Sequence, residues 1–440
     1  MKRVQLALLA CVACTADREG EGADSVIPPD SLGATESSAT SDGPGSNTHP
    51  SDTSDSNASD SSNVPKYDVA YDGGDFCVGR EAGIHCDGIE AVECGDDEDV
   101  VDRDDCAPDL CVDGIGCTVC SEGQYGCCGD QVMLCDTSTS PHSWQSMATC
   151  DAGAGQACSV ATGSCVSSPI IGTTEPSGVY YQYASFMQGE VFLGGYDVDT
   201  YENLIYVTGA SSGMVDVYEV ELLDTDGDGM MEPNQHPDNP DEPGAIEERV
   251  LTFVESFTMS GLSMSSSELF ALDDRIYRGG QNLTERVLAT GVETIVSPVP
   301  AYMYYFSQIG RDQLRGVWYA SNESYRRVHQ YCEQSSTWGI AFDYPSLAGD
   351  HMDGIEIVVD PATDISYVYV SDMTSDFLGQ YRWDPDTGWV QENLFSYQGT
   401  AGSLVEGMGF GALGHFWATG GSELYEIGGG DLGQYTDPAG

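Results

Sequence analysis

Nine consecutive residues carry the most specific chemistry in this sequence: Asp224-Thr225-Asp226-Gly227-Asp228-Gly229-Met230-Met231-Glu232. Carboxylates at positions 1, 3, 5 and 9, with glycine at 6 for the tight turn, can wrap oxygens around one hard cation. Met230, at position 7, would lend its backbone carbonyl. The pattern points to a structural Ca²⁺ site of extracellular-range affinity, roughly 10⁻⁴–10⁻³ M. An EF-hand needs a bidentate glutamate at position 12, but Gln235 stands there and no helical pattern flanks the loop. Asn234, Asp238 and Asp241 extend the stretch as further oxygen donors. The competing reading is an exposed acidic turn.

Other chemistries lack their signatures. The chain contains no G-x-S-x-G, no H-E-x-x-H and no P-loop. Its histidines, such as His329, His351 and His415, are scattered singly and read as isolated surface or core residues rather than ligand pairs. The cysteines are clustered: Cys77, Cys86, Cys94, Cys106, Cys111, Cys117, Cys120, Cys127, Cys128, Cys135, Cys150, Cys158 and Cys165 lie together, with Cys332 far downstream. Glycine turns and few apolar runs surround the cluster, so cross-links must do what a core cannot. His85 and His142 sit at no zinc-finger spacing, which leaves disulfides as the expected chemistry. Adjacent Cys127 and Cys128 should bond different partners, because a vicinal bridge is strained. Two outcomes are open for Cys332: a further bridge stapling the module to the C-terminal domain, or a buried free thiol. The acids between Asp96 and Asp105 read as a solvated charge run.

The scaffold that holds these residues can be inferred from composition. There are 72 acids against 15 bases, a formal charge of −57, and the only lysines are Lys2 and Lys66. Nucleic acid is excluded as a partner, since its binders neutralise phosphates with Lys and Arg. Anionic headgroups are repelled too. Met1-Lys2-Arg3 and the apolar run Val4–Ala13 have the layout of an export signal, too short to span a bilayer. Leu8-Leu9-Ala10-Cys11 and Cys11-Val12-Ala13-Cys14 both resemble the lipobox of bacterial lipoproteins, in which the cysteine carries the lipid. The length of the apolar run and an even count of downstream cysteines favour Cys14, with Cys11 as the alternative. Residues 1–13 are then the signal peptide, and an N-terminal lipid is the expected membrane contact. Residues 14–66, rich in Ser, Asp, Thr and Gly, cannot bury enough surface to offset their ordering entropy and should form a disordered tether. Residues 67–168 form the cysteine module. Its Cys77–Cys94 and Cys120–Cys135 segments are similar to small cysteine-rich repeats in surface lipoproteins of myxobacterial type, which implies a stalk or interaction module.

From residue 178 to 440 the pattern is all-β: short alternating or apolar runs rich in Tyr, Val, Ile, Phe and Trp, punctuated by Gly, Asp, Asn and Pro. Aromatic landmarks recur at Tyr206, Phe270, Trp318, Tyr369 and Trp417, a period near 50 that fits propeller blades, with an insertion over 224–242. Five units are visible, and a sixth would need Val179–Leu193 and the C-terminal tail. A β-sandwich is the competing fold.

Asp353-Gly354-Ile355-Glu356-Ile357-Val358-Val359-Asp360-Pro361, then Tyr369-Val370-Ser371-Asp372, then Gly379-Gln380-Tyr381, resembles a blade of the NHL and SMP-30/gluconolactonase-like propellers. Glu406 to Ile427 is a weaker second match. The calcium loop itself resembles the hairpins of integrin-type propellers. The SMP-30 resemblance implies a channel-mouth metal held by carboxylates, for which Asp353 and Glu406 stand in place, with Asn322 and Asn282 as candidate amide ligands. It equally allows both carboxylates to be turn residues. Three functions compete: a displayed binding module of unknown ligand, a calcium-dependent lactonase or esterase, and a structural envelope component. Lipid, spacer and cysteine stalk all serve display, which favours the first.

Overall fold

The computed structural model describes residues 76–435, apart from 79, 88–89, 96–99, 106–109, 113–115, 190, 210–212, 226, 263–268, 304–305, 323–325, 348–351, 373–376, 399–406 and 421. Cys11, Cys14, the tether, Cys106, Asp226 and Glu406 therefore lie outside the described residues.

From Gly178 the chain forms a β-propeller of five blades, each a four-stranded antiparallel sheet. Blade I comprises Gly195–Tyr201, Leu204–Gly209, Met214–Leu223 and Glu248–Thr258. Blade II is Leu269–Leu272, Arg275–Arg278, Asn282–Val287 and Glu293–Pro298. Blade III is Phe306–Asp312, Val317–Asn322, Arg327–Cys332 and Thr337–Asp343. Blade IV is Met352–Asp360, Ile365–Asp372, Phe377–Asp384 and Gly388–Gln398. Blade V has three strands of its own, Gly407–Phe410, Phe416–Thr419 and Glu423–Gly428. Its fourth, outer strand is Gly178–Met187, from the start of the domain.

A sixth blade is thereby ruled out: the segment that could have begun one closes the fifth. Residues 178–181 also pair in parallel with 395–398 of blade IV, so the closing strand joins two blades into one eight-stranded sheet. Strands bury both faces between neighbouring blades, which is why they read as near-continuous apolar runs. Each of the five inter-blade gaps holds one cluster. Tyr206 and Val217 meet Leu269 and Ile276 between blades I and II. Phe270 and Tyr277 meet Trp318 and Trp338 between II and III. Tyr319 and Phe342 meet Ile357 and Tyr381 between III and IV. Tyr369 and Val358 meet Phe410 and Phe416 between IV and V. Trp417 and Leu424 meet Val198 and Tyr218 between V and I.

One landmark is misplaced by the sequence period. Tyr206, Trp318, Tyr369 and Trp417 lie on second strands, whereas Phe270 lies on the inner strand of blade II. The equivalent residue is Tyr277, in the short strand Arg275–Arg278, whose arginine ends mask its strand character.

The cysteine module consists of short antiparallel sheets, including Tyr125–Cys128 with Gln131–Asp136 and Ser143–Thr149. Residues 70–440 form one compact unit, so module and propeller pack together. Cys128 is disulfide-bonded to Cys332 at the end of the third strand of blade III, which removes the free-thiol alternative. The connection past the module then bonds the outer edge of blade III, with Asp343 N donating to Pro169 O and Ile171 N to Asp343 O. An edge that could template foreign strands is thus covered. Among the described residues no helix is long and apolar enough to cross a membrane.

Candidate functional site

Asp224 comes directly after the third strand of blade I, and the inserted segment runs from there to Glu247, somewhat beyond the 224–242 that the acids mark. Asp224 accepts from the backbone N–H of Gly227 (2.6 Å) and of Gly229 (2.8 Å), using one carboxylate oxygen for each. Asp228 accepts from Met230 N at 2.7 Å. The Met230 and Met231 side chains are exposed. Among the described residues no three acid, histidine or cysteine side chains converge as a preformed metal cage. Asp226, the central donor of the motif, is outside those residues.

One carboxylate unread in the sequence belongs to this loop. Glu247 is buried (3% exposed), and one of its oxygens accepts from the backbone N–H of Glu232 at 2.7 Å. Its other oxygen, Oε1, is buried with no hydrogen-bond partner among the described residues. An unpartnered buried carboxylate oxygen is costly, and a hard cation is a fitting partner for it. Asp224, Asp228, Glu232 and Glu247 are thus the oxygen donors of the type a hard cation takes that the described part of the insertion carries, and they do not converge on one point.

The same insertion is pinned to the ring closure. Arg249, at the start of the outer strand of blade I, forms a buried ion pair with Glu426 of blade V at 2.8 Å. Its Nη1 donates to Glu247 O and its Nη2 to Pro233 O. His415 bridges Glu426 (2.6 Å) and Asn234 Oδ1 (2.8 Å), and Tyr183 of the closing strand donates to Asn234 O. His236 packs against the rings of Tyr181 and Tyr183. Burial pushes the Glu426 carboxyl up, but the His415 hydrogen bond and charge, with Arg249, hold it below the ordinary range. His415 is thus part of a network rather than isolated. His329 answers the isolated description: buried in blade III, its imidazole is pushed down to about 3 by desolvation and by Arg327.

Near the ring axis one side chain bridges the blades. Gln308, on the inner strand of blade III, accepts from Ile355 N and Met408 N and donates to Val198 O and Met408 O. One amide thus ties the inner strands of blades I, IV and V. Asp197 and Asp199 of blade I accept from Leu269 N and Ala271 N of blade II. A Cβ on Gly407 would collide with the Asp197 carboxylate, so blades V and I can approach this closely only with glycine there.

Strand topology puts Asp353, Asn322 and Asn282 at one end of the ring. Asp353 lies at the start of the inner strand of blade IV, and Glu406 immediately precedes that of blade V. Asn322 ends the second strand of blade III, opposite Phe306 in the register. The side chains of Asp353, Asn322 and Glu406 are outside the described residues. Asn282 begins the third strand of blade II, two strands out from the axis, and pairs with Pro298. The 224–247 insertion joins third to outer strand, so it sits at the opposite end.

The disulfides are Cys77–Cys94, Cys120–Cys135, Cys127–Cys158, Cys128–Cys332 and Cys150–Cys165. Cys86 and Cys117 are also disulfide-bonded. Cys111 faces Cys117 in the strand register.

No family model matches the chain, and no curated protein matches it. Among solved structures, streptogramin B lyase is 11% identical, covering 57% of this chain and 97% of its own, at a TM-score of 0.31. Luciferin-regenerating enzyme is 11% identical over 56% of this chain and 95% of its own, again at 0.31. The calcium-binding protein regucalcin from Agrobacterium tumefaciens is 11% identical over 55% and 72%, also at 0.31. At these values the likenesses add nothing to the strand topology itself.

Proposed function

We propose that this chain is a lipid-anchored binding protein, displayed at the surface or in the periplasm, whose propeller is held shut by Ca²⁺ on the Asp224–Glu232 loop. The observation that carries this reading is the clasp: one insertion holds both the acidic loop and the contacts to the closing strand and Glu426. A cation there would neutralise Asp224, Asp226, Asp228, Glu232 and Glu247, and so rigidify the segment that locks blade I to blade V. A ring whose inner strands are cross-linked by Gln308 suits a platform that presents a surface. Kinship with NHL and SMP-30-like propellers is part of the proposal and rests on the Asp353–Tyr381 motif. The lipid at Cys14, or at Cys11, and the 14–66 tether would hold that platform off the membrane.

Thermal unfolding with and without calcium tests this. At a free calcium concentration about 100 times the Kd, binding to the native state alone adds about 2.7 kcal/mol. The midpoint should rise by several degrees in the wild type and stay fixed in Asp226→Asn. Equal midpoints with calcium and with chelator in the wild type would sink the proposal.

A further inference from the structure

Where the cysteine module meets the propeller, a cleft of about 460 Å³ opens beside the Cys128–Cys332 bridge. Tyr125, Trp144 and Gln124 line it from the module, and Leu314, Arg315 and Trp383 from the propeller. Not one of its described lining residues is Asp or Glu, in a chain with 72 of them. The charge it does present is Arg315. On the same two blades Arg311, Arg327 and Arg382 each pair with a carboxylate. Arg315 instead lies 5.0 Å over the ring of Trp383 and donates through Nη1 to Tyr319 Oη, with no ion pair among the described residues. The carboxylate nearest in the chain, Asp312, is buried and accepts from the backbone N–H of Arg315. A guanidinium stacked on an aromatic face keeps its fork available for a planar anion.

The aromatic walls are fixed in place. Gly126 lies under Trp144, where an added Cβ would sit 3.0 Å from the indole. Gly163, at φ +57°, lies against Tyr125, where a Cβ would sit 2.5 Å from the phenol ring. Tyr125 and Leu314 nonetheless remain about two-fifths open, at 39% and 42% exposure. Rigid aromatic faces, a few amides and one cation form a binding pocket for a ligand with an apolar face and one negative group.

We propose that this cleft binds a carboxylate-bearing saccharide of the uronate class. Its C–H faces would stack on Tyr125 and Trp144, and its carboxylate would pair with Arg315. Amides such as Gln124 suit its hydroxyls. The proposal rests on the reading of the chain as a binding protein and is independent of the calcium loop.

The test is calorimetric titration of the full, disulfide-intact chain, loaded with calcium, using an oligogalacturonate, a neutral malto-oligosaccharide of equal length and a poly-glutamate peptide. The expected result is binding of the uronate, at least tenfold weaker binding of the other two, and at least tenfold loss in Arg315→Gln. Tyr125→Ala should lose a similar factor, and its exposure makes it the variant that keeps its fold if Arg315→Gln does not. No uronate binding by the wild type would overturn the proposal, as would poly-glutamate binding as tightly or unchanged affinity in Tyr125→Ala. A chain that still gains stability from calcium while failing to bind uronate defeats the cleft alone and leaves the clasp standing.

Discussion

Arg249 shows how this molecule uses its few cations. In a chain of formal charge −57, it sits fully buried between Glu426 and the carbonyls of Glu247 and Pro233. A buried pair of this kind is weak evidence for stability but strong evidence for a fixed arrangement, since removing one partner strands a charge. The titration of single residues depends on such surroundings. His329 is held neutral, with its pKa near 3 in the fold against about 6.5 unfolded. Its contribution is complete above about pH 6.5 and is lost as pH falls toward 3, because the unfolded chain takes up the proton first, at about 1.4 kcal/mol per pH unit. Glu426, also depressed, acts in a lower window: its contribution is present above about pH 4.5, its unfolded value, and is lost as pH falls through its folded one. Denaturant unfolding between pH 4.5 and 7 should therefore show a slope that His329→Gln flattens. An unchanged slope in that variant would remove the assignment.

At the scale of elements, the strands were legible because alternation, β-branched and aromatic residues and turn chemistry all agree. Asp360 is an instance: its carboxylate accepts from Ala362 N and Thr363 Oγ1, closing the turn that the Asp-Pro pair announces. Blade II was less legible, since Arg275–Arg278 has only two buried residues and no alternation long enough to register. The acids of the calcium motif were legible as spacing along the chain. Glu247, Gln308, His415 and Glu426 were not, because their partners lie far off in sequence and no local pattern marks them. The buried Arg249, one of few bases in the domain, was the available clue. If the insertion clasps the closing strand, calcium should slow hydrogen exchange most in the amides of 178–187 and 423–428. Equal slowing in every blade would mean that the cation stabilises the propeller globally and not through its seam.

For the molecule as a whole, closure and stapling are separate devices. The clasp joins blade V to blade I, and the Cys128–Cys332 bridge fixes the cysteine module on blade III. Cutting the staple with Cys128→Ser/Cys332→Ser should cost about 2–5 kcal/mol while leaving calcium stabilisation intact. Loss of the calcium response in that variant would show that the two devices are one. The proposed clasp depends on a single cation that seats in the Asp224–Glu232 loop and holds the ring shut. Native mass spectrometry of the disulfide-intact chain, counting calcium in the wild type, Asp226→Asn and Glu247→Gln, tests it most directly. One ion is expected, lost in Asp226→Asn and bound more weakly in Glu247→Gln. An ion that survives Asp226→Asn would place the metal elsewhere, with Asp353 and Glu406 as the next candidates, and no ion in the wild type would rule the calcium clasp out.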